Sequence, residues 1–257
     1  MLMADPQNST QGWSDQLLKN PHAAADKRAR VQRMFAGIAP TYDLNNRIHS
    51  LGQDQRWRSQ AVRLAGLKTG DVVVDVACGT GDLSLKFADA HAAQVLGVDF
   101  TYNMLLPARA KSASPGRYSH VCWINGDALS LPLPDASADV VSIAFGIRNV
   151  VDPQAAIAEF VRILRPAGRV IILEFSLPSN PLLRTLYNFY FRKILPVTAS
   201  LISGDRTGAY RYLPESVNTF IGRQEMLTMM QSAGLVDVQA FPMTFGVCIC
   251  YRGHKRT

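Results

Sequence analysis

Short β-branched runs alternate along the chain with stretches in which apolar residues return every three or four positions. Val72–Ala77 is β-branched and apolar around Asp75, without alternation, which predicts a strand buried on both faces, and Val95–Val98, Val140–Phe145 and Val170–Leu173 predict further strands. Ser119–Asn125 alternates, with Val121, Trp123 and Asn125 on one side and Cys122 and Ile124 on the other. Leu83, Phe87 and Ala90 recur at helical spacing after the first strand. A later helix starts at Pro153, buries Ala156, Ile157, Phe160 and Ile163–Leu164, and ends at Pro166 and Gly168. Gln224–Ala233 predicts another helix, closed by Gly234. Val236–Phe241 and Val247–Tyr251 are joined by a short link, so they predict an antiparallel pair. Five alternating strand–helix units followed by a hairpin predict an α/β fold with a mostly parallel sheet.

Three segments fall outside that alternation. Residues 1–26 lack periodicity and predict a flexible arm, leaving 27–257 as a single domain. Val31, Met34, Phe35 and Ile38 have helical spacing up to Pro40, and polar Tyr42, Asp43, Asn45, Asn46 and His49 follow. A surface helix pair and a helical cap over a ligand pocket, spanning 27–66, both suit this stretch. Past the fifth strand, Leu182, Leu183, Leu186, Phe189, Tyr190, Ile194 and Leu195 predict one broad apolar helix, with Tyr210–Leu213 after it. An insertion of that size over 175–221 is either extra core or a lid.

The chemistry concentrates around Val72–Asp82. Asp75 sits inside the strand, and Gly79-x-Gly81 turns the chain into a helix, a geometry that brings backbone close to a ligand. Ser84 stands where a dinucleotide loop carries its third glycine, which weakens a nicotinamide reading. Asp99 ends the next strand, where a carboxylate can accept both hydroxyls of a ribose or cap the helix beginning near Tyr102. Asp127 and Ala128 follow the third strand and suit an adenine amino group and ring nitrogen, or a turn before Pro132 and Pro134. Arg148 and Asn149 lie past the carboxyl end of the fourth strand, where open α/β sheets bind ligands. A nucleoside cofactor is the combined reading.

The segments VDVACGTGD, VLGVDFTYNML, NGDALSLPLPD, AFGIRNVVDP, ILRPAGRVIILEFS and AYRYLPES closely resemble the ubiquinone/menaquinone biosynthesis C-methyltransferases. The resemblance runs from about Val31 to Gly253 and includes A-x-x-Y-D-x-x-N at Ala39–Asn46. It departs at Asp54-Gln55, where the family often has His-Arg, and at PAG in place of PGG. It implies a Rossmann-like class I methyltransferase of seven strands that uses S-adenosylmethionine, with Thr80 near the methionine portion. The implied activity is methylation of a polyprenyl quinol ring carbon, demethylmenaquinol first and a methoxy-polyprenyl-benzoquinol as alternative. A homodimer is also implied. Carbon attacks the methyl group only once a ring hydroxyl has lost its proton. Arg148 is too basic to take that proton but suits stabilising the phenolate, with Asn149 orienting it. Tyr42, His49 and Asp152 are the reserves, and an Arg148–Asp152 ion pair is the competing structural role. A silent scaffold with the same fold is the reading from another class.

At 47% hydrophobic and 18% charged, the 257 residues can build a substantial core. No apolar run reaches the eighteen residues of a membrane span, and the polar start has no secretory h-region. Cys78, Cys122, Cys248 and Cys250 lie in apolar stretches and read as buried free thiols rather than metal ligands. A cytoplasmic protein without a metal is expected. The net charge of +7 gathers at Lys27, Arg28, Arg30 and Arg33 and at Arg252, Lys255 and Arg256. Without a nucleic-acid motif, that charge suits a solvated surface or the anionic cytoplasmic face of a membrane.

Overall fold

A computed structural model describes residues 12–257 apart from 115 and 206. Its centre is β1 (Val72–Val76), which pairs in parallel with β2 (Gln94–Asp99) on one side and β4 (Ala138–Ala144) on the other. β3 (Val121–Asn125) continues the parallel edge beside β2, and β5 (Leu164–Phe175) lies beside β4. The hairpin of β6 (Leu235–Met243) and β7 (Cys248–Lys255) completes seven strands in the order β3-β2-β1-β4-β5-β7-β6, with β7 antiparallel to both neighbours.

Alternation along β1 divides the core. Val74 and Val76 face a cluster with Phe160 and Met230, from α7 (Pro153–Ile163) and α11 (Arg223–Ser232). Val73 faces Trp57 and Phe87, from α4 (Gln53–Ala65) and α5 (Asp82–Asp89). The third buried cluster lies off the sheet. It joins Met34 and Ile38 of α2 (Lys27–Ile38) to Leu195 and Ala199 of α9 (Leu195–Ser203) and to Tyr210 and Tyr212 of α10 (Ala209–Asn218). Helix α2, before β1, and helices α9 and α10, after β5, therefore share one core and form one layer.

Several expectations are corrected. From Gly12 onward the N-terminal segment is packed rather than loose: Trp13 is buried and stacks on Tyr212 at 4.4 Å, and α1 (Asp15–Leu18) buries Leu18. Residues 1–11, also expected in the flexible arm, lie outside the described residues. No helix joins β3 to β4; the connection is an irregular loop with an isolated Asp127–Ser130 bridge, and Pro132 and Pro134 lack the N–H a helix interior needs. β5 is longer at both ends than the apolar run, so Glu174 lies within the sheet opposite Ile249. The single apolar helix of the insertion is α8 (Pro181–Phe189), a π turn at Tyr190–Ile194 and then α9. Cys122 is exposed on the edge strand, whereas Cys248 and Cys250 are buried.

The basic clusters disperse on folding. Lys27 is buried, Arg30 bonds Asp26, Arg28 reaches Asp127, and Lys255 donates to the Val161 and Leu164 carbonyls. Among the described residues, no helix is long and apolar enough to cross a membrane.

Candidate active site

The carboxyl ends of β1, β2 and β4 open into a cleft of about 810 Å³. Its floor is the turn after β1, where Gly79 has φ +57° and an added Cβ would stand 3.3 Å from the Met104 side chain. Gly81 is needed for packing: its Cβ would fall 2.4 Å from the Trp123 ring. Asp99 accepts the Gly79 N–H at 2.8 Å and the Thr101 N–H at 2.7 Å, so it ties the glycine turn to the residue that precedes α6 (Tyr102–Lys111), although it does not cap that helix. Burial pushes its carboxyl up to about 6, against the pull of those two N–H donors. Each oxygen keeps a further lone pair that can accept from a ligand. Asp127 lines the same cleft but is engaged by Arg28 at 2.7 Å and by the Leu129 N–H at 3.0 Å. Ala128 lies beside it, and its N–H has no partner among the described residues.

A smaller recess of about 310 Å³ continues from this cleft past Ala77 and Gly79, and Asp75, Thr80 and Arg58 line it. The Asp75 and Thr80 side chains are nonetheless committed to the scaffold. Asp75 accepts hydroxyl hydrogens from Ser84 at 2.6 Å and Ser142 at 2.7 Å, and burial raises its carboxyl to about 6. Ser84, the residue that departs from the dinucleotide pattern, thus ties α5 to β1. Thr80 donates to Asp43 at 2.5 Å and so ties the glycine turn to α3 (Tyr42–His49).

A second cleft, of about 1420 Å³, lies between the sheet and the outer helical layer. Trp57, Phe145 and Phe175 form an aromatic cluster on its sheet side, with Phe145 and Phe175 rings 4.6 Å apart. Tyr187, Tyr190, Phe191 and Tyr212 line it from the insertion. Arg148 belongs to this cleft. It sits in the 3₁₀ turn Ile147–Asn149, buried, with Nη1 donating to Glu174 Oε1 and to the Phe145 carbonyl, both at 2.6 Å. Burial opposes its charge, and the combined attraction of Glu174, Tyr212 and Tyr42 outweighs that, holding the guanidinium above its ordinary pKa. Its expected alternative partner, Asp152, instead caps α7 by accepting the Ala155 N–H at 2.9 Å. Arg148 Nη2 takes no hydrogen bond among the described residues.

Asn149 lines the first cleft and accepts the Tyr212 hydroxyl at 2.9 Å. His49 lines the second, bonded to the Asn45 carbonyl and the Thr198 hydroxyl. The two clefts share a wall of Phe35, Tyr42 and Phe145. Phe145 has φ +57°, a costly conformation for an aromatic residue, and the bond from Arg148 to its carbonyl helps hold it there. Gly146 follows because a Cβ would stand 2.7 Å from that of Ala77.

Sequence reasoning missed Lys27, Glu174 and Tyr187. Lys27 is buried in the layer and donates to the carbonyls of Arg148 at 3.0 Å and Val150 at 2.6 Å, clamping the turn that carries Arg148. Desolvation, helped by Arg148, lowers its ammonium to about 8. The Tyr187 hydroxyl is buried with no hydrogen-bond partner among the described residues.

A model of the ubiE/COQ5 methyltransferase family matches residues 23–255. The chain belongs to that family. The Thermus thermophilus protein named demethylmenaquinone methyltransferase is 44% identical over 223 residues, covering 86% of this chain and all of its own. The Citrifermentans bemidjiense protein named ubiquinone/menaquinone biosynthesis C-methyltransferase UbiE is 42% identical, covering 91% of this chain and all of its own. In fold, the chain is similar to a SAM-dependent methyltransferase from Aquifex aeolicus, with a TM-score of 0.54, 18% identity, and coverage of 77% of this chain and 88% of that one. As a family member the chain is a C-methyltransferase of quinone biosynthesis, and S-adenosylmethionine is its cofactor.

Proposed function

We propose that the chain methylates a ring carbon of a polyprenyl quinol, with demethylmenaquinol as its first acceptor. The observation that carries the reading is the wall of Phe35, Tyr42 and Phe145 shared by a polar cleft and a larger aromatic one. The polar cleft suits S-adenosylmethionine: Asp99 has acceptor capacity for a ribose diol, Asp127 and the Ala128 N–H stand where an adenine would lie, and the Gly79–Gly81 turn allows close backbone approach. Bound there, the cofactor supplies an electrophilic sulfonium methyl group. In this reading Asp75 and Thr80 act by holding the turn through Ser84, Ser142 and Asp43.

The aromatic cleft suits a quinol ring and the start of an isoprenoid tail. Arg148 Nη2 donates to the ring oxygen and stabilises the phenolate as its proton leaves to water. Glu174 offsets part of the guanidinium charge and fixes its orientation. Asn149 aligns the acceptor through its bond to Tyr212, and Tyr42 packs at the junction of the two clefts, where it would orient the acceptor ring. Holding two reactants in line removes much of the entropic barrier, up to about 7–11 kcal/mol in ideal cases. The tail leads to contact with the cytoplasmic face of the membrane that stores such quinols.

The test is transfer of labelled methyl from S-adenosylmethionine to chemically reduced demethylmenaquinol and to methoxy-polyprenyl-benzoquinol, side by side. Faster methylation of the naphthoquinol is expected. Silence on both, with cofactor binding intact, would overturn the reading.

A further inference from the structure

The insertion carries a second apolar face, opposite the one it buries. Tyr187, Leu195 and Ala199 point into the layer, while Leu182, Leu186, Phe189, Ile194, Val197 and Leu201 stand exposed, from 40% at Ile194 to 79% at Leu201. Their spacing is four, three, five, three and four residues. The gap of five falls on the π turn Tyr190–Ile194. One turn of i→i+5 geometry absorbs the extra residue, so the exposed positions of α8 and α9 stay on one stripe instead of rotating apart. α9 packs against α3, which exposes Leu44 and Ile48 at i and i+4, and the turn after α3 exposes Leu51. Leu51 is 87% exposed and also lines the aromatic cleft, so the cleft opens beside this surface.

Charge names the occupant. Between Phe175 and Gly204 there is no acidic residue, and Arg184, Arg192 and Lys193 are basic and exposed. Arg192 also meets Glu215 of α10 at 2.8 Å. A second copy of the chain would bring the same cations together, whereas an anionic bilayer complements them and takes up the leucine stripe.

We infer that the outer face of residues 181–203, with the exposed edge of α3, docks on an anionic lipid bilayer and sets the mouth of the aromatic cleft against it. The inference rests on the polyprenyl quinol reading. The docked face lets the ring enter the cleft while the tail stays in lipid.

The experiment is flotation of the full chain with phosphatidylcholine vesicles and with phosphatidylcholine–phosphatidylglycerol vesicles, for the wild type and for Leu186→Glu/Leu201→Glu. Both side chains are exposed, so the double variant keeps its fold, checked by its melting temperature. The wild type is expected to float with the anionic vesicles, and the double variant to bind about tenfold more weakly or worse. Methylation of a short-tailed, water-soluble quinol should be equal in both. Loss of vesicle binding supports the face even if that quinol is not methylated, a result that would fault the substrate reading alone. A wild type that stays with the unbound fraction, or a double variant that floats equally well, overturns the inference. So does a dimer in sedimentation velocity that the double variant dissociates without any vesicle binding, since the face would then belong to a second copy.

Discussion

Arg148 and Glu174 form a buried ion pair with Nη1 and Oε1 2.6 Å apart, and neither side chain is more than 6% exposed. Removing one partner of such a pair strands the other, which costs about 3–5 kcal/mol. Arg148→Ala therefore confuses folding with catalysis. Arg148→Lys keeps a charge for Glu174 but loses the guanidinium fork. Its methyl transfer should fall about a hundredfold, as when one electrostatic donor to a developing oxyanion is lost. Affinity for S-adenosylmethionine by calorimetry should stay within a few-fold. Parallel loss of cofactor affinity would assign Arg148 to the scaffold.

Tyr187→Phe separates stability from substrate binding. The hydroxyl is buried without a partner among the described residues, so deleting it should leave the melting temperature unchanged or raise it. The same change should raise KM for the quinol about tenfold, because the hydroxyl would have met a ring oxygen. An unchanged KM removes Tyr187 from the acceptor site.

Cofactor affinity should depend on pH through Asp99. Its carboxyl lies at about 6, raised by burial, and only the ionised form offers all its acceptors to a ribose. Affinity should be full at pH 7.5 and fall as pH drops below about 6 in calorimetric titrations. Asp99→Asn should bind about ten- to a hundredfold more weakly at pH 7.5 and show a flatter profile. A wild-type affinity constant from pH 5 to 7.5 would exclude Asp99 as the ribose acceptor.

Asp75 should act on stability instead. Its carboxyl moves from an ordinary 3.8 to about 6 on folding, chiefly by burial. Below about 4 both folded and unfolded chains hold the proton, while between about 4 and 6 only the folded chain does. The contribution is therefore present in acid and lost as pH rises through 6, amounting to about 3 kcal/mol. Denaturant unfolding of Asp75→Asn should lack this component, so its stability relative to the wild type changes between pH 4 and 7. Parallel curves would show that Asp75 does not titrate in that window.

Four strands of the sheet were legible because double burial leaves mainly β-branched apolar runs, interrupted in β1 by Asp75 and in β4 by Ser142, which bond one another. The glycine turn was legible for the same local reason: Gly79 and Gly81 adopt positive φ, which few other residues tolerate. Glu174 was not, since its place opposite Arg148 is set by the alignment of β4 and β5 and leaves no mark in spacing. Lys27 was hidden in a basic run, where a buried lysine and a solvated one look alike. The insertion read as one helix because a π turn preserves an apolar stripe across five residues, which period counting takes for continuity.

Contacts that close the outer layer join distant parts of the chain: His22 bonds the Ser216 carbonyl at 2.9 Å across 194 positions, and Trp13 stacks on Tyr212. Strands β1 to β4, by contrast, lie between Val72 and Ala144. Loop-closure entropy makes the long contacts the slower ones to form. During refolding, the sheet floor of the cofactor cleft should thus form before α2 and α3 bring Arg28, Phe35 and Tyr42 over it and close the acceptor cleft. Because one wall serves both clefts, full affinity for S-adenosylmethionine and turnover should be recovered together, after the parallel strands have formed.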